Sequence, residues 1–141
     1  MTLQMARLES EKKSKLPKNF YKQDVLTLAQ ALLGKTLVHN NGTQNLAGKI
    51  VEVEAYDGEV DESAHTFNGK TKRNEIMFED GGFLYVYFTY GMHFCANVVA
   101  GKKDHGCAVL LRAIEPLEGV ETMKQNRFNH QKRFSLKNLT N

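Results

Sequence analysis

The 141 residues, 41% hydrophobic and 25% charged with a net charge of +3, have the composition of one ordinary globular domain with room for a modest core. No stretch approaches the ~20 apolar residues of a membrane-spanning helix, and the opening MTLQMARLESEKKSKLP lacks the apolar centre of a secretory signal, so the expected compartment is the cytoplasm. The charge is uneven, with Lys124, Arg127, Lys132, Arg133 and Lys137 facing the single acid Glu121 in the last part of the chain and Lys70, Lys72 and Arg73 clustered in its middle. This pattern points to a polyanionic partner, nucleic acid before a membrane surface.

Residues 1–18 are charged and aperiodic, the pattern of a flexible basic arm, and 19–141 carry the domain. Asp24 is placed to cap a helix in which Val25, Leu28, Ala29, Leu32 and Leu33 recur at helical spacing, with Gly34 as its stop. Lys35 to His39 reads as a strand, Asn40-Asn41-Gly42 as a hairpin turn, and the partner strand runs through Leu46 to Tyr56. Alternation along that strand sets Val51, Val53 and Ala55 on one face and Glu52, Glu54 and Tyr56 on the other. A polar loop rich in carboxylates follows and ends at His65.

From Phe67 to Gly82 the chain reads as a loop holding the basic cluster and the apolar island Ile76-Met77-Phe78. Phe83 to Tyr90 is apolar or aromatic at nearly every position, which predicts a strand buried on both faces. Gly91 and Met92 break it and place Tyr90 and Met92 at an exposed tip, costly in a purely structural protein. Strands are expected again at His93 to Ala100 and Cys107 to Ile114, joined by a turn at Gly101 to Gly106. Arg112 falls between Leu110 and Ile114 on an apolar face, so its guanidinium needs a partner. Pro116 is placed to open a closing helix through Arg127, with Gly119 its weak point.

There is no Gly-rich phosphate loop, no G-x-S-x-G elbow, no C-x-x-C and no zinc-deaminase signature. His93-x-Cys95 and His105-x-Cys107 offer four candidate zinc ligands, but the spacing matches no common zinc module, and both cysteines sit in apolar runs as reduced core thiols do. What remains is the carboxylate Glu54 beside Tyr56, His65 after its loop, the tyrosines Tyr85, Tyr87 and Tyr90, the amide Asn97 and Arg112. Rings stack on flat bases, a carboxylate can deprotonate water, and an exposed aromatic at a turn can wedge into a base stack. These are the parts of a base-flipping hydrolase, with Lys72 and Arg73 as candidate contacts to the DNA backbone.

In order along the chain, IVEVEAY with GEVDESAH, then TKRNEIMF, LYVYFTYGMHFCANVV and AVLLRAIEPLEG resemble the alkyladenine type of 3-methyladenine DNA glycosylase. The resemblance runs from about Phe20 to Arg127. It implies an α+β fold, a single compact domain with a curved antiparallel sheet and flanking helices. It also implies a monomer that acts on double-stranded DNA containing alkylated bases, a monofunctional enzyme with no metal and no cofactor. On that resemblance Glu54 is the general base for the attacking water, and Arg112 helps hold the water and a backbone phosphate. Tyr56 stacks on one face of the flipped base, with His65 and Tyr87 on the other, and Asn97 crowds the amino group of guanine. Tyr90 fills the hole left in the duplex, with Met77 and Met92 beside it.

Two departures accompany the resemblance. Relatives commonly carry another aromatic where this chain has His93. The family also continues into a Gly-Pro-x-Lys-Leu motif and further strands, so the C-terminal portion of the family domain is expected to be missing here. The competing readings are a nucleic-acid-binding remnant that recognises distorted DNA without turnover, and a small zinc-binding structural domain.

Overall fold

The computed structural model describes residues 14–91 and 93–133, with side chains as far as Arg127. Met92, most of the expected N-terminal arm and the last residues lie outside the described part. A 3-10 turn, Lys18–Lys22, leads into α1, Val25–Leu32. Asp24 caps α1 as expected, its side chain accepting from the Thr27 amide at 3.0 Å. Then come β1, Thr36–Asn40, and β2, Asn45–Asp57. The Asn41 side chain organises the turn between them, accepting from the Thr43 amide at 3.0 Å and the Gln44 amide at 3.0 Å. A long loop follows, with a 3-10 turn at Glu75–Phe78. The chain then forms β3, Leu84–Thr89, β4, His93–Ala100, β5, Cys107–Glu118, and α2, Val120–Arg133.

The five strands make one open antiparallel sheet in the order β1-β2-β5-β4-β3. On one face, Val25, Leu28, Ala29 and Leu32 of α1 pack on Ile50, Val98, Cys107 and Val109. On the other, Met77, Tyr85, Val99 and Ala108 form a smaller cluster under the long loop. Each fully buried aliphatic chain, such as Leu28, contributes roughly 1.5–3 kcal/mol. Leu33, expected on the helix's apolar stripe, is exposed because α1 has already ended at Leu32.

Three expectations are corrected. First, β2 does not alternate cleanly: its register against β5 slips three times, passing over Leu117 on β5, Val51 on β2 and Arg112 on β5. Ile50 and Val53 therefore both reach the α1 face, and Val51 turns outward at 48% exposure. Second, β3 is an edge strand and is not buried on both faces. Tyr85 and Tyr87 point to the covered side, whereas Leu84, Val86 and Phe88 are 53%, 49% and 44% exposed. Third, Pro116 opens no helix. β5 continues through it opposite Gly48, where a register shift removes the need for a full ladder, and the helix begins only after Gly119 at φ 75°.

Candidate active site

Directly opposed residues in an antiparallel sheet share a face, so the register places a functional row across four strands. Glu54 of β2 stands opposite Leu110 of β5, Leu110 opposite Asn97 of β4, and Asn97 opposite Tyr85 of β3. Tyr56 lies one step along the same face, opposite Ala108, and Tyr87 one step the other way, opposite Cys95. This face looks towards the long loop, away from α1.

Arg112 lies two residues on from Leu110, so strand alternation brings it to this same face, at the bulge in β5. Its Nε lies 3.3 Å from Glu54 Oε1, while the Tyr56 hydroxyl donates to Glu54 Oε2 at 2.7 Å. One oxygen of the carboxylate thus accepts a hydrogen bond and the other faces a guanidinium. Arg112 and Glu54 are each about half exposed, at 49% and 41%, so the pair adds only ~0–1 kcal/mol of stability. Its effect is to fix the direction of the carboxylate. Donating to Glu54 also pushes the Tyr56 phenol above its ordinary pKa. The Tyr87 phenol is pushed up to about 12, mainly by burial and then by its hydrogen bond with the Cys95 thiol.

A cavity of about 200 Å³ opens on this face, lined by Tyr56, Ser63, His65, Met77, Tyr87, Tyr90 and Asn97. That is below the ~300–1,000 Å³ typical of drug-sized pockets and suits a single flat ring system. His65 packs on Tyr87 with ring centroids 4.5 Å apart, and Tyr87 on Tyr85 at 5.3 Å, a ladder of rings along one wall. Asn97 is 5% exposed, and its amide donates to the Tyr85 carbonyl at 3.3 Å. Tyr90 projects from the β3–β4 turn at 88% exposure with φ 51°, a left-handed conformation that an ordinary residue adopts at a cost.

The structure therefore brings Glu54, Tyr56, His65, Tyr87, Asn97, Arg112 and Tyr90 to one face. Met77, expected beside the wedge, is 3% exposed: it forms part of the pocket wall and the core beneath it and does not project with Tyr90. Lys72 and Arg73 are exposed and form no ion pair among the described residues. His93 and His105 lie at opposite ends of β4, beside the hairpin tip and in the β4–β5 turn, so the two His-Cys pairs do not converge. Among the described residues no group of three or more His, Cys, Asp or Glu could hold a metal ion. Cys107 faces Asp57 at 3.4 Å, and burial first, then that carboxylate, push its thiol up to about 11.

Sequence reading missed Asn74 and Thr66. Asn74 is 4% exposed, donates to the carbonyls of His65 at 2.9 Å and Gly69 at 3.1 Å, and accepts from the Thr71 amide at 2.6 Å. Buried Thr66 donates to the Gly106 carbonyl at 2.5 Å. Together they pin the loop that presents His65 over the pocket. No periodicity could have revealed them, because both act from irregular backbone; a polar residue closing a loop between glycines was the only signal.

A sequence model of methylpurine-DNA glycosylase matches residues 19–141. A Clostridium novyi protein named "Putative 3-methyladenine DNA glycosylase" is 47% identical over 132 residues, covering 90% of this chain and 65% of its own length. Proteins of the same name from Legionella pneumophila and Clostridium botulinum are each 48% identical, over 79% and 81% of this chain and 61% and 57% of theirs. The chain thus spans less than two thirds of the length of these relatives. With the match running through every strand that builds the pocket, the chain belongs to the methylpurine-DNA glycosylase family.

Proposed function

We propose that this chain carries the base-recognition and hydrolytic face of a DNA glycosylase that flips alkylated purines of the 3-methyladenine type out of duplex DNA. The observation that carries the reading is one carboxylate, Glu54, held by Tyr56 and Arg112, where Tyr56 itself lines a small aromatic pocket together with the exposed Tyr90. Family membership and the names of the relatives support the same class of activity.

In this reading Tyr90 enters the duplex and occupies the space of the extruded nucleotide. The base slides between Tyr56 on one side and His65 and Tyr87 on the other. Alkylation at N3 or N7 makes a purine cationic, and a cation over neutral aromatic faces is attracted by their quadrupoles by about 0.5–2 kcal/mol. Asn97, locked by its bond to the Tyr85 carbonyl, cannot swing aside for an extra amino group, which disfavours guanine.

Glu54 accepts a proton from a water whose oxygen forms the new bond to the sugar C1′. The electrons of the N-glycosidic bond leave with the purine, already cationic and so neutral on departure. A single carboxylate suffices, where ordinary glycosidases need a second to protonate the leaving group. Arg112 steers Glu54 and balances charge beside the reacting centre.

The test is single-turnover release of 3-methyladenine from alkylated duplex. Glu54→Gln is expected to retain lesion binding and lose about 100- to 10,000-fold in rate, the scale of a general base. Parental release by that variant refutes the assignment of Glu54. A parent chain that binds lesion duplex without releasing base refutes turnover and supports a damage-recognition module instead.

A further inference from the structure

His65 reaches the pocket from irregular backbone, with no strand or helix to aim it. Its ring is exposed and leans on Tyr87, while its neighbours Ala64 and Thr66 are buried. The segment that follows folds back on a single amide. Asn74 uses both side-chain N–H donors on carbonyls, those of His65 at 2.9 Å and Gly69 at 3.1 Å, and its Oδ1 accepts from the Thr71 amide at 2.6 Å. Its backbone carbonyl accepts from the Met77 amide at 2.9 Å. One buried residue is thus bonded to the backbone of two pocket-lining residues, His65 and Met77. Asn74 does not itself line the pocket, and with both side-chain donors engaged it has none left for a ligand.

We propose that Asn74 is the positioning residue for base capture, acting through His65: it sets that ring in place for the flipped purine before DNA arrives. This rests on the glycosylase reading above and adds to it the group that decides the width of the pocket. An imidazole on a free loop would have to be ordered at each binding event, and that ordering cost subtracts from affinity. A buried, fully bonded amide moves the ordering into folding. Hydrolysis is left alone, because Glu54 and Arg112 stand on β2 and β5.

The experiment is 3-methyladenine release from alkylated duplex with protein in excess, titrated so that the half-saturating concentration reports capture and the plateau rate reports hydrolysis. Asn74→Asp keeps the acceptor for the Thr71 amide and loses both donors. It should raise the half-saturating concentration about 5-fold or more and leave the plateau rate within about 2-fold. His65→Ala should raise that concentration about 5- to 150-fold, the scale of one ring on a base. Adding Asn74→Asp to His65→Ala should then change nothing further. An Asn74 that merely supports the fold would weaken capture equally with and without the His65 ring, and such additivity overturns the proposal. Parental capture by Asn74→Asp does so too. Thermal melting accompanies each variant; if Asn74→Asp does not fold, Asn74→Ser, neutral and too short for either carbonyl, is read in its place. If His65→Ala captures as the parent does, the proposal falls while base release by the parent still supports the glycosylase reading. A parent that releases no base overturns both.

Discussion

Tyr90 shows a side chain and its backbone set against each other. Its φ of 51° is left-handed, a conformation costing an ordinary residue roughly 1–2 kcal/mol, and its ring is 88% exposed, so little folded-state packing offsets that cost. The proposed wedge role explains why a tyrosine stands there. Tyr90→Gly is therefore expected to raise stability by about 1 kcal/mol, through relief of the backbone, while weakening capture of lesion duplex by about 1–3 kcal/mol through loss of the stack. Thermal melting and fluorescence anisotropy on the same preparation check both halves. A variant that is less stable and binds as well as the parent would refute the wedge.

At the scale of elements, the pocket depends on a junction remote from it. Gly81, just before β3, donates to the Gly101 carbonyl at 2.9 Å, and the Gly101 amide donates to the Tyr21 carbonyl at 3.0 Å. The segment before α1, the entry to β3 and the β4–β5 turn are thus tied by backbone alone. A Cβ on Gly81 would meet the Tyr21 carbonyl oxygen at 2.0 Å, and a carbonyl cannot retreat as a side chain can. Gly81→Ala should cost about 1–3 kcal/mol or more, read as a lower urea midpoint. A parental midpoint would show that this junction yields freely. The bulges in β2 and β5 are the other element-level device: they turn Val51 outward while Ile50 and Val53 both keep to the α1 face.

At the scale of the whole molecule, carboxylates tie loops together. Asp80 accepts from Lys22 Nζ at 2.9 Å and from the Lys103 amide at 3.1 Å, bridging three segments at one end of the sheet. The Lys22 contact foremost, then the amide, hold Asp80 below the usual carboxylate pKa, and side-chain bonds from Thr27 and Ser63 do the same for Asp24 and Asp61. A carboxyl more acidic folded than unfolded contributes stability above its unfolded pKa of about 3.9 and loses it as pH falls below that value. The thermal midpoint should accordingly drop on acidification below about pH 4, and Asp80→Asn should show a shallower drop. An acid limb identical in parent and variant would dismiss the Asp80 contribution.

The sequence by itself determined what short-range physics encodes. The capped α1, the Asn-rich β1–β2 turn, the presence of every strand and the shared strand face of Glu54 and Tyr56 were all legible, because helical period, strand alternation and turn chemistry are local. The resemblance to a glycosylase family lay in residues that local rules alone leave unexplained, such as an exposed Tyr90. Only the tertiary structure decided which face each residue took. The register slips that turn Val51 outward depend on how β5 lies against β2, and β3 is half exposed because of its place in the sheet, a matter of strand order. Pro116 stayed in a strand because Gly48 lay opposite, and Asn74 became the anchor of His65 because the loop folded back over the pocket. Pairings between distant segments carry no periodic signature, so they become visible only once the strands have met.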